Sequence, residues 1–399
     1  MSSLKYWLWL STIRTLGPAR AGRLIDALGG PENVYFADGA EWLAAVPDIS
    51  PAALSGLEDK SLDRADRILE MCERTGVTLT TMQDSLYPDR LRNLAAPPAV
   101  LYIKGKLPPI DEEAAIAVVG TRKPTPYGQN IALRMGYQLS RAGMLVISGM
   151  AKGIDGSAHI GALRAGRPTV AVLGCGPDVI YPSENKALYE DISAAGAIVS
   201  EYPPGTPVAA GHFPMRNRII SGLALGTLIV EAPKISGALI TASLALEQGR
   251  DLYAVPGSVD SADSAGCHDL IREGATLVYA PEQIVSEYIH AFSHKLTAES
   301  PPVPAHMPKP AKPARDDGNR AAPTEQQTEA VDLTALVERF EPEQQRILLT
   351  IAGTPRIADE IISLTGLTAR VVLSELTLLE IDGVVTALPG KRFVMSIDN

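Results

Sequence analysis

Four stretches of the chain set small and cationic residues directly beside apolar runs. "GTRK" (120–123) follows "AIAVV", "SGMAK" (148–152) overlaps the end of "MLVISG", "GCGPDVIYPSENK" carries Lys186, and "RNR" (216–218) leads into "IISGLA". Glycine there lets backbone N–H groups approach an anion, and arginine offers a planar fork that fits phosphate bidentately. The candidate anion-gripping set is therefore Gly120, Thr121, Arg122, Lys123, Ser148, Gly149, Lys152, Lys186, Arg216, Asn217 and Arg218. For Lys123 and Lys152, surface solvation and ligand contact both stay open. For Asn217, shaping the loop and touching ligand both stay open. Arg122, Arg216 and Arg218 read as contacts, because each sits in a loop beside an apolar segment that can anchor it.

Other chemistries fit poorly. No GxxxxGK[ST] is present, "GCG" at 174–176 lacks the third glycine of a dinucleotide fingerprint, and no GxSxG elbow occurs. His159 and His212 have no zinc-like spacing. Cys72, Cys175 and Cys267 form no CxxC pair, so no disulfide framework, metal or cofactor is expected. Asp155 reads as a loop cap and Glu231 as a local partner; neither has an evident second carboxylate for acid–base work. Several anion cradles without catalytic groups suggest a polyanion binder rather than an enzyme, and single-stranded nucleic acid suits consecutive cradles. Phe213 and Tyr202 offer stacking faces, or alternatively pack in the fold.

The net charge of −10 looks wrong for such a ligand until it is divided along the chain. Residues 1–113 hold 12 Lys+Arg against 16 Asp+Glu, and residues 233–399 hold 14 against 23. Residues 114–232 hold 10 against 7, a locally basic stretch. Local clusters set attraction for phosphates, not the total.

The elements that must position these residues follow from hydrophobic pattern. "AIAVVG" (115–120), "MLVISG" (144–149), "PTVAVLG" (168–174), "GAIVSE" (196–201), "GTLIVEA" (226–232), "DLYAVPG" (251–257) and "ATLVYA" (275–280) are near-continuous apolar runs separated mostly by helical stretches. That predicts an α/β fold with an extended Rossmann-like, doubly wound, mostly parallel sheet. Ligands of such sheets bind beyond the C-terminal strand ends, where the cradles converge. The domains expected are 1–75, helical (helix-hairpin-helix or SAM-like) around "TLGPARAG"; 76–290, the sheet domain; 291–335, a proline-rich linker; and 336–399, a winged helix of three helices and a hairpin. The hairpin at "TLGPARAG" either offers backbone donors to a phosphate or is plain packing. In the winged helix, Arg370 stands against Glu375 and Glu380 on the recognition helix, and Lys391 and Arg392 in the wing are its basic pair, a poor balance for a duplex groove. No stretch is long and apolar enough for a membrane span and no signal-peptide pattern opens the chain, so a cytoplasmic protein is expected.

The ordered blocks "AVVGTRKPTPYG", "VISGMAKGIDGSAHIGAL", "AVLGCGPDVIYPSEN", "SEYPPGTP", "HFPMRNRIISGLA", "SGALITASLALEQGRDLYAVPG" and "GCHDLIREGA" resemble the DNA-processing protein A (DprA/Smf) family over roughly residues 80–290. The resemblance implies a dimer that binds and protects incoming single-stranded DNA in natural transformation, loads RecA recombinase, helps displace single-strand-binding protein, and is not a catalyst. It places DNA contacts on Arg122, Lys186, Arg216, Asn217, Arg218, Ser148 and Gly149, with Lys152 beside them. Leu270, Ile271, Leu277 and Val278 could pair across the two-fold axis, or instead pack under the linker or the N-terminal domain. Two rival classes stand beside this one. A nucleotide N-glycosidase of similar fold carries PGGxGTxxE, but here Gly226-Thr227 lies one residue too far from Glu231 and no Pro-Gly-Gly precedes it. A small-nucleotide sensor would use the same glycine loops for one ligand.

Overall fold

The structure, a computed structural model, describes residues 3–297, 342–351, 356–381, 384–388 and 392–395. It divides into two units, Met1–Arg315 and Asp316–Asn399.

The first unit opens with six helices: α1 (Leu4–Thr12), α2 (Gly17–Leu28), α3 (Pro31–Phe36), α4 (Gly39–Ala45), α5 (Pro51–Glu58) and α6 (Asp63–Thr75). Gly29 ends α2 and Gly76 ends α6 in the left-handed conformation, which only glycine adopts without strain. Trp7, Trp9, Leu24, Trp42 and Ile68 close these helices over one core. Next come β1 (Thr78–Thr81), α7 (Asp89–Arg92) and β2 (Val100–Gly105). Strand β2 alternates: Val100 and Tyr102 join the helical core, while Leu101 and Ile103 join the sheet core. The helical region is therefore bound to the sheet through shared side chains.

The remaining elements are β3 (Ala115–Val119), α8 (Pro126–Arg141), β4 (Leu145–Ser148), α9 (Ile154–Arg164), β5 (Thr169–Leu173), α10 (Lys186–Ala195), β6 (Ala197–Ser200), α11 (His212–Leu223), β7 (Gly226–Ile229), α12 (Gly237–Glu247), β8 (Asp251–Ala254), α13 (Ala265–Arg272), β9 (Thr276–Leu277) and α14 (Pro281–Tyr288). The sheet order is β1-β2-β6-β5-β4-β3-β7-β8-β9. All seven strands expected between 115 and 280 form and pair in parallel, while β1 and β2 add an antiparallel edge.

Burial on both faces explains the unbroken apolar runs. Ala115, Ala117 and Val119 of β3 face Ile219, Ile220 and Leu223 of α11 and Ala238 and Ala242 of α12. Ile116 and Val118 face Ala132 and Met135 of α8 and Ile154 and Ala158 of α9. The segment expected to be linker from 291 begins inside this fold. Leu296 is buried, the Thr297 N–H donates to Ala142 O (3.0 Å), and Lys295 pairs with Glu113. Residues 298–335 lie outside the described residues.

The second unit holds α15 (Pro342–Ile351), β10 (Arg356–Ile357), α16 (Ala358–Thr365), α17 (Ala369–Ile381), β11 (Val385–Leu388) and β12 (Arg392–Met395). Ile347, Ile351, Ile361, Val372, Leu376 and Val385 form its core. The expected two-stranded wing gains β10, which pairs with β12. The side chains of Arg370, Glu380, Lys391 and Arg392 lie outside the described residues.

Candidate nucleic-acid interface

Strand β3 pairs with β4 on one side and β7 on the other, so the winding direction of the sheet reverses there. The chain leaving β3 and the chain leaving its neighbours then part and open a crevice at the C-terminal strand ends. A cleft of about 780 Å³ occupies that point. Gly120, Thr121, Arg122 and Lys123 enter it from the end of β3, Ala151 from the β4–α9 connection, Asp155 from the first turn of α9, and Phe213, Arg216 and Asn217 from the first turns of α11. Val208, Pro214, Ile235 and Ile240 make an apolar wall.

The first loop is clamped from below. Both carboxylate oxygens of the buried Glu231 accept from Thr125, one from its N–H at 2.8 Å and one from its hydroxyl at 2.6 Å. The Thr121 N–H donates to Glu231 O at 2.8 Å. A Cβ at Gly128 would lie 2.2 Å from that carboxylate, so the first turn of α8 needs glycine to admit it. Arg122 is thus presented on a fixed loop while its side chain stays exposed. Its guanidinium carbon lies 4.9 Å from the centroid of Phe213, whose ring meets that of Tyr181 at 5.6 Å and 37°. A cation over an aromatic face is held there by the ring quadrupole.

Arg216 is only 4% exposed. Its Nη1 donates to Val172 O at 2.8 Å, and its Nε is buried with no partner among the described residues. A Cβ at Gly149 would lie 1.6 Å from Nη1, so glycine at the end of β4 makes the slot for this side chain. Burial lowers the Arg216 pKa and Asp155 pushes it back up. Burial raises that of Asp155, opposed first by Arg216 and then by the backbone at Ala151 and Gly149. Each charge is tolerated because the other is present. Nearby His159 is held neutral, its pKa pushed down to about 3 by burial and by Arg216, with Nδ1 on the Thr169 hydroxyl at 2.8 Å.

Six of the sequence-predicted residues line the cleft: Gly120, Thr121, Arg122, Lys123, Arg216 and Asn217. The others are placed elsewhere. The Ser148 hydroxyl is buried and donates to Val118 O at 2.6 Å, so it stitches β4 to β3. Gly149 sits behind Arg216. Lys152 is exposed and pairs with Glu184, and Lys186 is exposed at the start of α10, beside Asn185, whose Nδ2 holds Met150 O at 3.0 Å. Arg218 is buried and pairs with Glu201 rather than facing the cleft. Tyr202 stacks on His212 at 4.0 Å and 18°, apart from Phe213. Tyr181, Val208, Ile235 and Ile240 were not singled out in the sequence; their signal is apolar or aromatic type in loops that follow strands and, for Ile240, in the first turn of α12. Among the described residues no group of three or more His, Cys, Asp or Glu could hold a metal ion. Burial pushes the thiols of Cys72 and Cys175 up to about 11 and that of Cys267 to about 12.

Residues 78–289 match the model of a family described as DNA recombination-mediator protein A, and residues 308–391 match a DprA winged helix domain. Protein Smf of Synechocystis is 33% identical over 412 residues, covering 98% of this chain and 98% of that protein. DNA processing protein DprA of Bacillus subtilis is 38% identical over 239 residues, 60% of this chain and 80% of that one. The solved structure of DNA processing protein A from Streptococcus pneumoniae superposes with a TM-score of 0.63 at 32% identity, covering 71% of this chain and 97% of that chain.

Proposed function

This chain belongs to the DNA recombination-mediator protein A family, and on that premise we propose that it binds single-stranded DNA in the β3 cleft, shields it, and loads RecA recombinase onto it without chemical turnover. The observation that carries the reading is the meeting of two unlike walls in one cleft. Arg122 and Arg216 lie beside the ring of Phe213, which packs on Tyr181, Lys123 lines the same cleft, and Val208, Ile235 and Ile240 add apolar surface to it. Phosphates take the cations while unstacked bases lie on rings and aliphatic side chains, which is the economy of a sequence-tolerant strand binder. Duplex DNA hides its base faces and leaves the second wall unused.

The groups that would drive hydrolysis are otherwise engaged. Glu231 is buried and holds Thr125 through both carboxylate oxygens, His159 is neutral and buried, and the three thiols stay protonated at neutral pH. Base release from nucleoside monophosphates would overturn the non-catalytic reading.

Arg122 is exposed, so Arg122→Ala should leave Tm unchanged. Loss of one charge-assisted contact should weaken an oligo-dT by about tenfold or more. The slope of log affinity against log salt should fall by about 0.7. Anisotropy titrations at several salt concentrations check this, and unchanged affinity would remove the site. On a strand coated with single-strand-binding protein, the wild-type chain should shorten the lag of RecA assembly; an unaltered lag at every protein ratio would defeat the loading role.

We infer a homodimer through the free edge of the sheet. β9 is its last strand, Leu277 and Tyr279 are exposed, and Leu270 and Ile271 are half-buried against the core. Val278, expected at this interface, is fully buried among Tyr253, Ile284 and Val285, just past the end of β9. Leu277→Asp should give monomers in sedimentation at micromolar concentration, and a persisting dimer would refute the interface. No helix among the described residues is long and apolar enough to cross a membrane; we place the protein in the cytoplasm, where RecA acts.

A further inference from the structure

We propose that a second cleft, between the α1–α2 hairpin and the β6–α11 connection, grips the same single strand beyond the first cleft. The proposal rests on the reading that the β3 cleft holds a single strand.

The second cleft has a volume of about 320 Å³, and Arg14, Arg64, Tyr202, His212 and Met215 line it. Arg14 and Arg64 are exposed, and neither has an ion-pair or hydrogen-bond partner among the described residues. The one carboxylate on its wall, Glu201, is already paired with Arg218. The cleft thus carries two uncommitted cations in the N-terminal part of a chain whose first 113 residues are acidic overall. Two arginines without a carboxylate partner in the cleft are poised for an anion from outside.

The aromatic element is also in place. Tyr202 and His212 stack at 4.0 Å and 18°, and His212 Nδ1 lies 3.0 Å from Gly174 O, which fixes the slab against the sheet end. Met215 beside it is 40% exposed, a polarizable apolar surface next to the rings. Cations beside a fixed ring pair repeat, in other residues, the composition of the first cleft. The first turn of α2 also borders the cleft, through Gly17 and Pro18, and Leu16 supplies no side-chain cap to it.

The two clefts share one ridge. His212 lines the second and Phe213 the first; Thr206 lines the second and Val208 the first. The 201–215 segment therefore borders both clefts, with Glu201, Tyr202, Pro203, Thr206, His212 and Met215 on the second and Val208, Ala210, Phe213 and Pro214 on the first, so a strand leaving Phe213 reaches the second cleft across this one segment. Phosphate spacing along a single strand supplies what two separated cationic sites need, and a mononucleotide does not.

The test uses the full chain with the double substitution Arg14→Ala/Arg64→Ala, and oligo-dT of about 6 and about 20 nucleotides, the first within and the second beyond the usual footprint of about 4–16 nucleotides for one strand-binding site. Both residues are exposed, so Tm should not move. Affinity for the short oligomer should stay within about twofold. Affinity for the long one should fall about tenfold, with the salt slope reduced by about 1.4, the value for two lost phosphate contacts. Arg14→Lys/Arg64→Lys should keep most of that slope. Unchanged affinity and slope for the long oligomer would overturn the proposal, as would equal weakening of both lengths. Arg122→Ala, run in parallel, separates the two readings: if it weakens both lengths while the double variant weakens neither, only the second cleft fails. If it weakens neither while the double variant weakens the long oligomer, only the first cleft fails.

Discussion

Arg216→Met should destabilise the protein by about 3 kcal/mol, and adding Asp155→Asn should return most of that loss without restoring the strand affinity. The reasoning turns on which charge is left behind. Asp155 and Arg216 are both buried, and burial is the largest influence on each; the attraction between them is what opposes it. Removing one member of a buried pair leaves an uncompensated charge and typically costs about 3–5 kcal/mol, whereas replacing both is often nearly neutral. The Asp155 pKa is already raised above the ordinary aspartate value, so its contribution to stability is present at low pH and is lost as pH climbs through the raised folded value. Without Arg216 that value rises further. The deficit caused by Arg216→Met should therefore be smaller at pH 4 than at pH 8, because protonation of Asp155 removes the charge that Arg216 offsets. Denaturant melts of the wild type, Arg216→Met, Asp155→Asn and the double variant at both pH values form the cycle. Additive losses in the double variant, or a deficit independent of pH, would show that the two charges do not support one another. Affinity separates function from folding: the double variant keeps the fold but lacks the cation on the cleft floor, so a recovery of oligonucleotide binding would remove Arg216 from the interface.

The same pair shows how far residue types alone could carry the reading. The central strands were legible because burial on both faces demands unbroken apolar runs, and "AIAVVG" or "PTVAVLG" leaves little alternative. Their parallel pairing located the ligand edge, and with it Gly120 to Lys123. Strand β1 was not legible, since "TLTT" is short and polar, with the Thr81 hydroxyl turned to Asp84. Side-chain burial at the site was not legible from residue type and spacing. Ser148, read as an anion contact, is buried with its hydroxyl on Val118 O of the neighbouring strand. Arg216 and Arg218 look alike in "RNR", yet one enters a slot made by Gly149 and the other meets Glu201. That difference depends on how α11 lies across β3, β4 and β5, which no local pattern encodes. The second cleft joins residues almost 200 positions apart and was beyond the reach of spacing arguments for the same reason.

Gly136→Ala and Gly161→Ala should each cost about 2 kcal/mol or more, against the sign expected from helix propensity. Both glycines lie inside helices, α8 and α9, where alanine is ordinarily favoured by about 1 kcal/mol. Here the helices cross so closely that a Cβ at Gly136 would sit 2.3 Å from Ala158 O, and one at Gly161 would sit 2.3 Å from Leu133 O and 2.7 Å from Tyr137 N. The obstacles are backbone atoms of a packed neighbour, so no rotamer change relieves them and the helices must separate. Forced overpacking of a core typically costs about 1–3 kcal/mol, occasionally more, and here it must exceed the propensity gain. Gly39→Ala is the control, because it too lies in a helix and meets nothing within 4 Å; it should be neutral or slightly stabilising. Separation of α8 from α9 also matters for the site. The first helix starts at the clamped loop that carries Arg122, and the second carries Asp155, so the crossing sets the distance between the two sides of the cleft. Strand affinity should accordingly fall in Gly136→Ala and Gly161→Ala even at temperatures well below their melting transitions. A variant that loses stability yet binds with wild-type affinity would show that the cleft is positioned by the strand ends alone.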